Sequence, residues 1–176
     1  NQLDSLQGFI NSSKEDSTKV DAMLNLSQYY FGTVPERAIE VARQAEKLGR
    51  KIEYYKGVAY ALKNEGVGDY VEALTAWQKS LAVFDSINDL VGVANILSNI
   101  GAIYYNEGDY NQALDYYLKS LTAAEKIQDT LRIVTALVNI GAVYNDKPAT
   151  HGKALEYSKR ALALSEAAKE ADAIAT

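Results

Sequence analysis

The 176-residue chain is 48% apolar and carries a formal charge of −5, with one histidine and no cysteine. That length supports a well-buried core, while the missing cysteines exclude disulfides and thiolate metal sites. No block of Lys or Arg is present to track a phosphate backbone, so nucleic acid is not an expected partner. No apolar run approaches the roughly 20 residues of a membrane-spanning helix, so this chain is not expected to insert into a bilayer.

In chain order, Leu3, Leu6 and Ile10 predict a short amphipathic helix that breaks at Asn11-Ser12-Ser13, making residues 1–19 a helix and linker. The first residue is Asn1 rather than Met, which is expected of a chain processed or cut from a longer one. From residue 20 onward the apolar residues recur at helical spacing and strict strand alternation is missing, so the fold class is all-α. Pro35 and Pro148 fall at loops or helix starts.

Sliding the chain against itself reveals a repeat. Asn99-Ile100-Gly101-Ala102-Ile103-Tyr104 matches Asn139-Ile140-Gly141-Ala142-Val143-Tyr144, an offset of 40 (139 minus 99). Gly108-Asp109-Tyr110 through Leu114 matches Gly68-Asp69-Tyr70 through Leu74 at the same offset (108 minus 68). The recurring Ala38, Ala73, Ala113 and Ala154 mark the second helix of four repeats, approximately residues 20–50, 51–89, 90–129 and 130–168. Residues 169–176 are expected to open a fifth, truncated repeat, as in a fragment of a larger protein.

Within the third repeat Ile96, Leu97, Ile100, Ile103 and Tyr104 form a core stripe. Gly101 lies inside it at a cost of about 1 kcal/mol, which predicts close approach of a crossing helix. Gly57, Ser27 and Gly141 are taken as its equivalents. The distance from Gly57 to Ala73 exceeds that from Gly101 to Ala113 by four residues (16 against 12), so the first helix of the second repeat is expected to be a turn longer. Asp109 with Gln112, Asp69 with Glu72 and Thr33 with Glu36 are expected to cap second helices.

The run Leu97-x-x-Ile100-Gly101-x-x-Tyr104 followed by Ala113-x-x-x-Tyr117, with its counterpart at Leu137, Ile140, Gly141, Tyr144 and Ala154, resembles the tetratricopeptide repeat. The resemblance covers roughly residues 20–176. It departs from the consensus in having Leu for the usual Trp, no proline closing each repeat, and Ser158 where an aromatic is common. Repeats of about 40 residues are similar to those of kinesin light chains, spindle-orientation adaptors and bacterial peptide-sensing regulators. The resemblance implies a right-handed α-α superhelix of about four helix-turn-helix units.

Such stacks have a concave face lined by first helices. Asn95, Asn99, Ala102 and Asn106 share one face opposite the core stripe, and Thr135, Asn139, Ala142 and Asp146 take the same places in the fourth repeat. Asn25 and Lys56 are read as the counterparts of Asn99 in the first two repeats. An amide donates and accepts together, which suits a peptide backbone. In related adaptors an Asn before the Leu/Ile-Gly pair contacts bound peptide, and the resemblance implies that role for Asn99 and Asn139. The alternative is a bond to a neighbouring repeat or to water.

No catalytic constellation is apparent, and no cofactor or metal is expected. His151 stands in a loop, a His-based metal site lacks ligands, and Gly66-Val67-Gly68 lacks the Lys of a phosphate loop. A purely structural spacer within a larger assembly, with no groove ligand, is one reading, and two functions stand beside it. One is a scaffold binding a peptide or partner domain on the concave face. The other is the sensor region of a bacterial signalling protein whose adenylate or guanylate cyclase, histidine kinase or DNA-binding output lies outside this chain. The segment Lys19 to Ser27 resembles the start of such arrays, and homodimerisation would favour that reading. Cytoplasmic and periplasmic placement are equally compatible with the sequence.

Overall fold

The computed structural model describes residues 2–146 and 148–174. Among them are nine α-helices and no strand: α1 Gln2–Ser12, α2 Ser17–Tyr30, α3 Pro35–Lys51, α4 Tyr55–Glu65, α5 Tyr70–Ser86, α6 Leu90–Asn106, α7 Tyr110–Lys126, α8 Thr130–Asn145 and α9 His151–Ile174. A single 3-10 turn, Pro148–Thr150, precedes α9.

Helix starts follow the chemistry of the orphan backbone donors. The carboxylates of Asp16, Asp69, Asp109 and Asp129 accept from the amides of Lys19, Val71, Gln112 and Arg132. Each such cap contributes about 1 kcal/mol. The Asp109 cap is formed as the sequence predicts, while Asp69 reaches Val71 rather than Glu72. The predicted Thr33–Glu36 cap is not formed. Val34 occupies the capping position and Pro35 opens α3, because a proline ring already holds the first helical φ and needs no amide partner. Thr33 instead bonds back to the Tyr30 carbonyl.

Helix ends share a device the sequence concealed. Glu53, Asn88 and Gln128 adopt left-handed φ values of 58°, 54° and 54°, and Gly108 one of 77°. In each case the next amide reaches back five residues: Tyr54 to Gly49, Asp89 to Phe84, Asp129 to Ala124 and Asp109 to Tyr104, at 2.8–3.1 Å. This is the Schellman closure of a helix C-terminus. In α9 the residues 41 positions after Ile127-Gln128 are Ala168-Lys169, and the helix continues unbroken to Ile174. The expected new helix at 169 is therefore absent up to that point. Ala, Lys and Glu are good helix formers, and nothing there turns the backbone. Residues 175 and 176 of that expectation lie outside the described residues.

The chain forms two compact units, residues 1–89 and 90–176. In the first, α2 packs on α3, α3 on α4 and α4 on α5, around Val20, Leu24, Leu26, Val41, Ala45 and Leu48. Leu3, Leu6 and Ile10 of α1 pack against that core, as their spacing predicts. In the second, α6 packs on α7, α7 on α8 and α8 on α9, around Tyr117, Leu121, Leu137, Ile140 and Val143. Alanines at the crossings bring backbones close enough for buried hydroxyls to bridge them. Ser80 donates to the Ala59 carbonyl at 2.7 Å, Ser120 to Ala94 at 2.8 Å, and Ser27 to Ala38 at 2.8 Å.

The packing corrects the register of the second repeat. A Cβ built on Gly101 would lie 2.7 Å from Cδ1 and Cε1 of Tyr117, so α6 and α7 need a glycine there. The matching contact in the second repeat is Gly66 against the indole of Trp77, which precedes Tyr117 by 40 residues (117 minus 77). Gly57 sits instead near the start of α4, against Val20 and Tyr54. The first helix of this repeat is thus shorter, at 11 residues against 17 in α6, and Gly66 stands seven residues before Ala73 (73 minus 66) where Gly101 stands twelve before Ala113 (113 minus 101). At the offset of 35 set by Gly66 (101 minus 66), Asn64 rather than Lys56 takes the place of Asn99.

Candidate functional site

Within the second unit α6 and α8 lie side by side, and between them is a depression of about 200 Å³. Asn95, Ser98 and Asn99 border it from α6, and Leu131, Arg132 and Thr135 from α8. It thus unites three of the residues the sequence nominates: Asn95, Asn99 and Thr135. Their spacing of three to four residues along each helix places them on one face.

Arg132 organises this depression. Its Nε donates to Asn95 Oδ1 at 3.0 Å and its Nη1 to Asp129 Oδ2. Asp129 is held below the usual carboxylate range, first by the Arg132 amide and then by the guanidinium. Asn139 donates to Ser98 Oγ at 3.1 Å, which ties α8 to α6. Thr135 bonds back to the Leu131 carbonyl and stays exposed. Asn99 is partly exposed, and its amide has no hydrogen-bond partner among the described residues. Leu131 is 73% exposed at the margin.

The other nominated residues sit elsewhere. Asn106 is exposed at the last position of α6. Asp146, just after α8, engages the phenols of Tyr105 and Tyr110, and both phenols are pushed up in consequence, Tyr105 by that hydrogen bond and Tyr110 by the carboxylate charge. Asn25 borders an apolar depression of about 480 Å³ with Leu3, Leu6, Phe9 and Tyr29. Lys56 lies at the start of α4, with Nζ 3.3 Å from Asp89. Asn64, the true register mate of Asn99, is 1% exposed and donates to the Leu24 carbonyl of α2 at 3.2 Å. Asn64 and Asn139 both spend their amides on the preceding first-type helix, which is the alternative role stated for these asparagines.

Arg132, Ser98 and Leu131 were not nominated. The signal for Arg132 was present, three residues before Thr135 and hence on its face. The assembled groups are amides, hydroxyls and one guanidinium, suited to hydrogen bonding. Among the described residues no group of three or more His, Asp or Glu is arranged to hold a metal ion. No helix of the described residues is long and apolar enough to cross a membrane. His151 is the exposed first residue of α9 rather than a loop residue, its Nε2 3.0 Å from the Asn145 carbonyl.

Solved structures share this fold at low identity. Aspartyl phosphate phosphatase F from Bacillus subtilis is 18% identical, with a TM-score of 0.84 over 93% of this chain and 44% of its own. A Rap protein complexed with competence and sporulation factor is also 18% identical, with a TM-score of 0.72 over 92% of this chain and 47% of its own. A signal transduction ATPase with numerous domains and a tetratricopeptide repeat sensor, from Pyrococcus horikoshii, is 20% identical, with a TM-score of 0.76 over 96% of this chain and 28% of its own. The chain spans about half the length of the first two of these proteins or less. No curated protein sequence matches it. The family profile described as the tetratricopeptide repeat matches residues 55–126 and 92–167, well over half the sequence. With its helix pairs and their glycine-aromatic crossings, the chain belongs to the tetratricopeptide repeat family.

Proposed function

We propose that the chain is a protein-interaction scaffold that holds an extended peptide or a partner's loop against α6 and α8. The observation that carries this reading is the uncommitted Asn99 amide beside Arg132, in a depression whose other asparagine, Asn95, is already held. The Asn99 side chain offers the donor and acceptor that a peptide bond complements. Arg132 adds a fixed positive charge for a ligand carbonyl or carboxylate, and exposed Leu131 adds apolar contact. Asn139 is assigned a different part, as the strut to Ser98 that keeps the two helices in register.

Selection of a displayed peptide library on the 176-residue chain tests this. The selected peptides lose at least tenfold in affinity with Asn99→Ala, while the helical melt is unchanged. Asn139→Ala lowers the melt instead. Unaltered affinity in Asn99→Ala would remove the depression from the account.

A second reading is that this array senses a signal for an output domain elsewhere in a longer protein. It draws support from the similarity to the Pyrococcus protein described as carrying a tetratricopeptide repeat sensor. The sequence flanking these residues in the parent gene separates the two readings. A catalytic or DNA-binding module beside the array supports the sensor, and further repeats alone support the scaffold.

A further inference from the structure

We propose that Glu46 of α3 and Glu65 of α4 form a proton-operated clamp, in which one shared proton closes the end of α4 against α3 and its loss loosens that contact. Glu65 is the last residue of α4, where the unpaired carbonyls of a helix end disfavour negative charge. Its side chain is 15% exposed and borders a cavity of about 280 Å³ between α3, α4 and α5. Its Oε1 is shielded from solvent and has no hydrogen-bond donor among the described residues. The group that meets it is a second acceptor, the Glu46 carboxyl across the helix crossing. Two carboxylates cannot satisfy one another, whereas a carboxylic acid donates to a carboxylate.

The charges around the pair decide which partner donates. Arg50 reaches Glu46 Oε1 through Nε at 2.8 Å and Nη2 at 2.7 Å, which makes Glu46 the acceptor and Glu65 the acid. Arg43 Nε lies 3.5 Å from Glu65 Oε2, but that side chain is 70% exposed and water screens its charge. Burial first, and then the Glu46 charge, hold the Glu65 carboxyl above the usual carboxylate range against the pull of Arg43. From α5, Glu72 and Lys79 border the same cavity with opposite signs. On α4 itself Lys63 lies over the Tyr60 ring. From α2, which also packs on α4, Asp21 accepts from the Tyr54 phenol and Lys19 donates to the Ser13 carbonyl. The folded chain thus binds a proton that the unfolded chain releases. The clamp is closed below the unfolded value of about 4.3 and is lost as pH rises through the folded one. The pair shares no residue with the depression between α6 and α8.

Trp77 reports on the clamp. It is the chain's one tryptophan, its indole packs on Gly66 beside Glu65, and its Nε1 donates to the Lys63 carbonyl at 2.9 Å. Its emission is followed in the 176-residue chain from about pH 4 to about pH 8, with a thermal melt at each pH. The parent shows a single step in emission. Glu65→Gln shows none, because its amide donates to Glu46 at every pH. The melting midpoint of Glu65→Gln exceeds the parent's by about 2 °C or more at the alkaline end, and the difference closes towards the acid end. Glu46→Gln, which turns the acceptor into a donor for an ionised Glu65, also abolishes the step. An emission step that persists in either variant, or a Glu65→Gln midpoint offset that is constant with pH, overturns the proposal.

Discussion

Gly101 and Gly141 occupy the same place in successive repeats, yet the structure predicts opposite responses to alanine. Each substitution gains about 1 kcal/mol of helix propensity. At Gly101 the new methyl would lie 2.7 Å from two ring atoms of Tyr117, which is 3% exposed. Ordinary carbon contacts are about 3.5–4.0 Å, so the ring must withdraw by about 1 Å into a filled core. Overpacking of this kind costs about 1–3 kcal/mol, leaving Gly101→Ala destabilised by up to about 2 kcal/mol. At Gly141 the nearest atoms are Ser158 Oγ at 3.3 Å and the Ala154 carbonyl at 3.6 Å. A serine hydroxyl rotates aside, so most of the propensity gain survives. Urea melts followed by far-UV circular dichroism measure both. In thermal terms the expectation is a midpoint lowered by about 2–4 °C per kcal/mol lost for Gly101→Ala, and raised on the same scale for Gly141→Ala. Adding Tyr117→Ser, which imitates the fourth repeat, makes Gly101→Ala neutral or stabilising relative to Tyr117→Ser alone. Equal destabilisation by both glycine substitutions, or a Gly101→Ala penalty that persists without the ring, refutes the reasoning.

Other predictions follow from single contacts. Ser120→Ala removes the buried bond to the Ala94 carbonyl and costs about 1 kcal/mol, measured as a lower urea midpoint. Gln128→Gly relieves a left-handed residue and stabilises by about 0.5–1 kcal/mol; an unchanged or lower midpoint contradicts the Schellman assignment. Burial pushes the Tyr117 phenol up to about 12. Its unfolded value is about 10, so the folded state binds more protons between the two and loses stability as pH rises through that window. Tyr117→Phe therefore flattens the alkaline fall in melting temperature between about pH 10 and 12, whereas a fall of unchanged steepness assigns it to other groups.

Much of this architecture was legible because the repeat writes itself in local terms. Helical spacing of Ile96, Leu97, Ile100 and Ile103 gives α6, and Asp109 with Gln112 starts α7. The second repeat was misread because Gly57 sits before an apolar run just as Gly101 sits within one. Only the tertiary contact of Gly66 with Trp77 distinguishes them. The turns at Glu53, Asn88 and Gln128 were hidden for a related reason. Left-handed backbone is expected at glycine, and these residues are held there by bonds from the following amide. Of the nominated site, Asn95, Asn99 and Thr135 converge because equivalent positions of adjacent first-type helices must face alike. Lys56 inherited the register error. The burial of Asn64 against Leu24 depends on how closely α2 approaches α4, which spacing along one helix does not encode.

The most direct test of the scaffold account is an NMR titration of the isotopically labelled chain with a peptide selected on it. The account predicts amide and side-chain shifts concentrated at residues 95–99 and 131–135, with the Asn99 side-chain amide among the most displaced. Shifts confined to other surfaces, with residues 95–99 unperturbed at saturation, would contradict it.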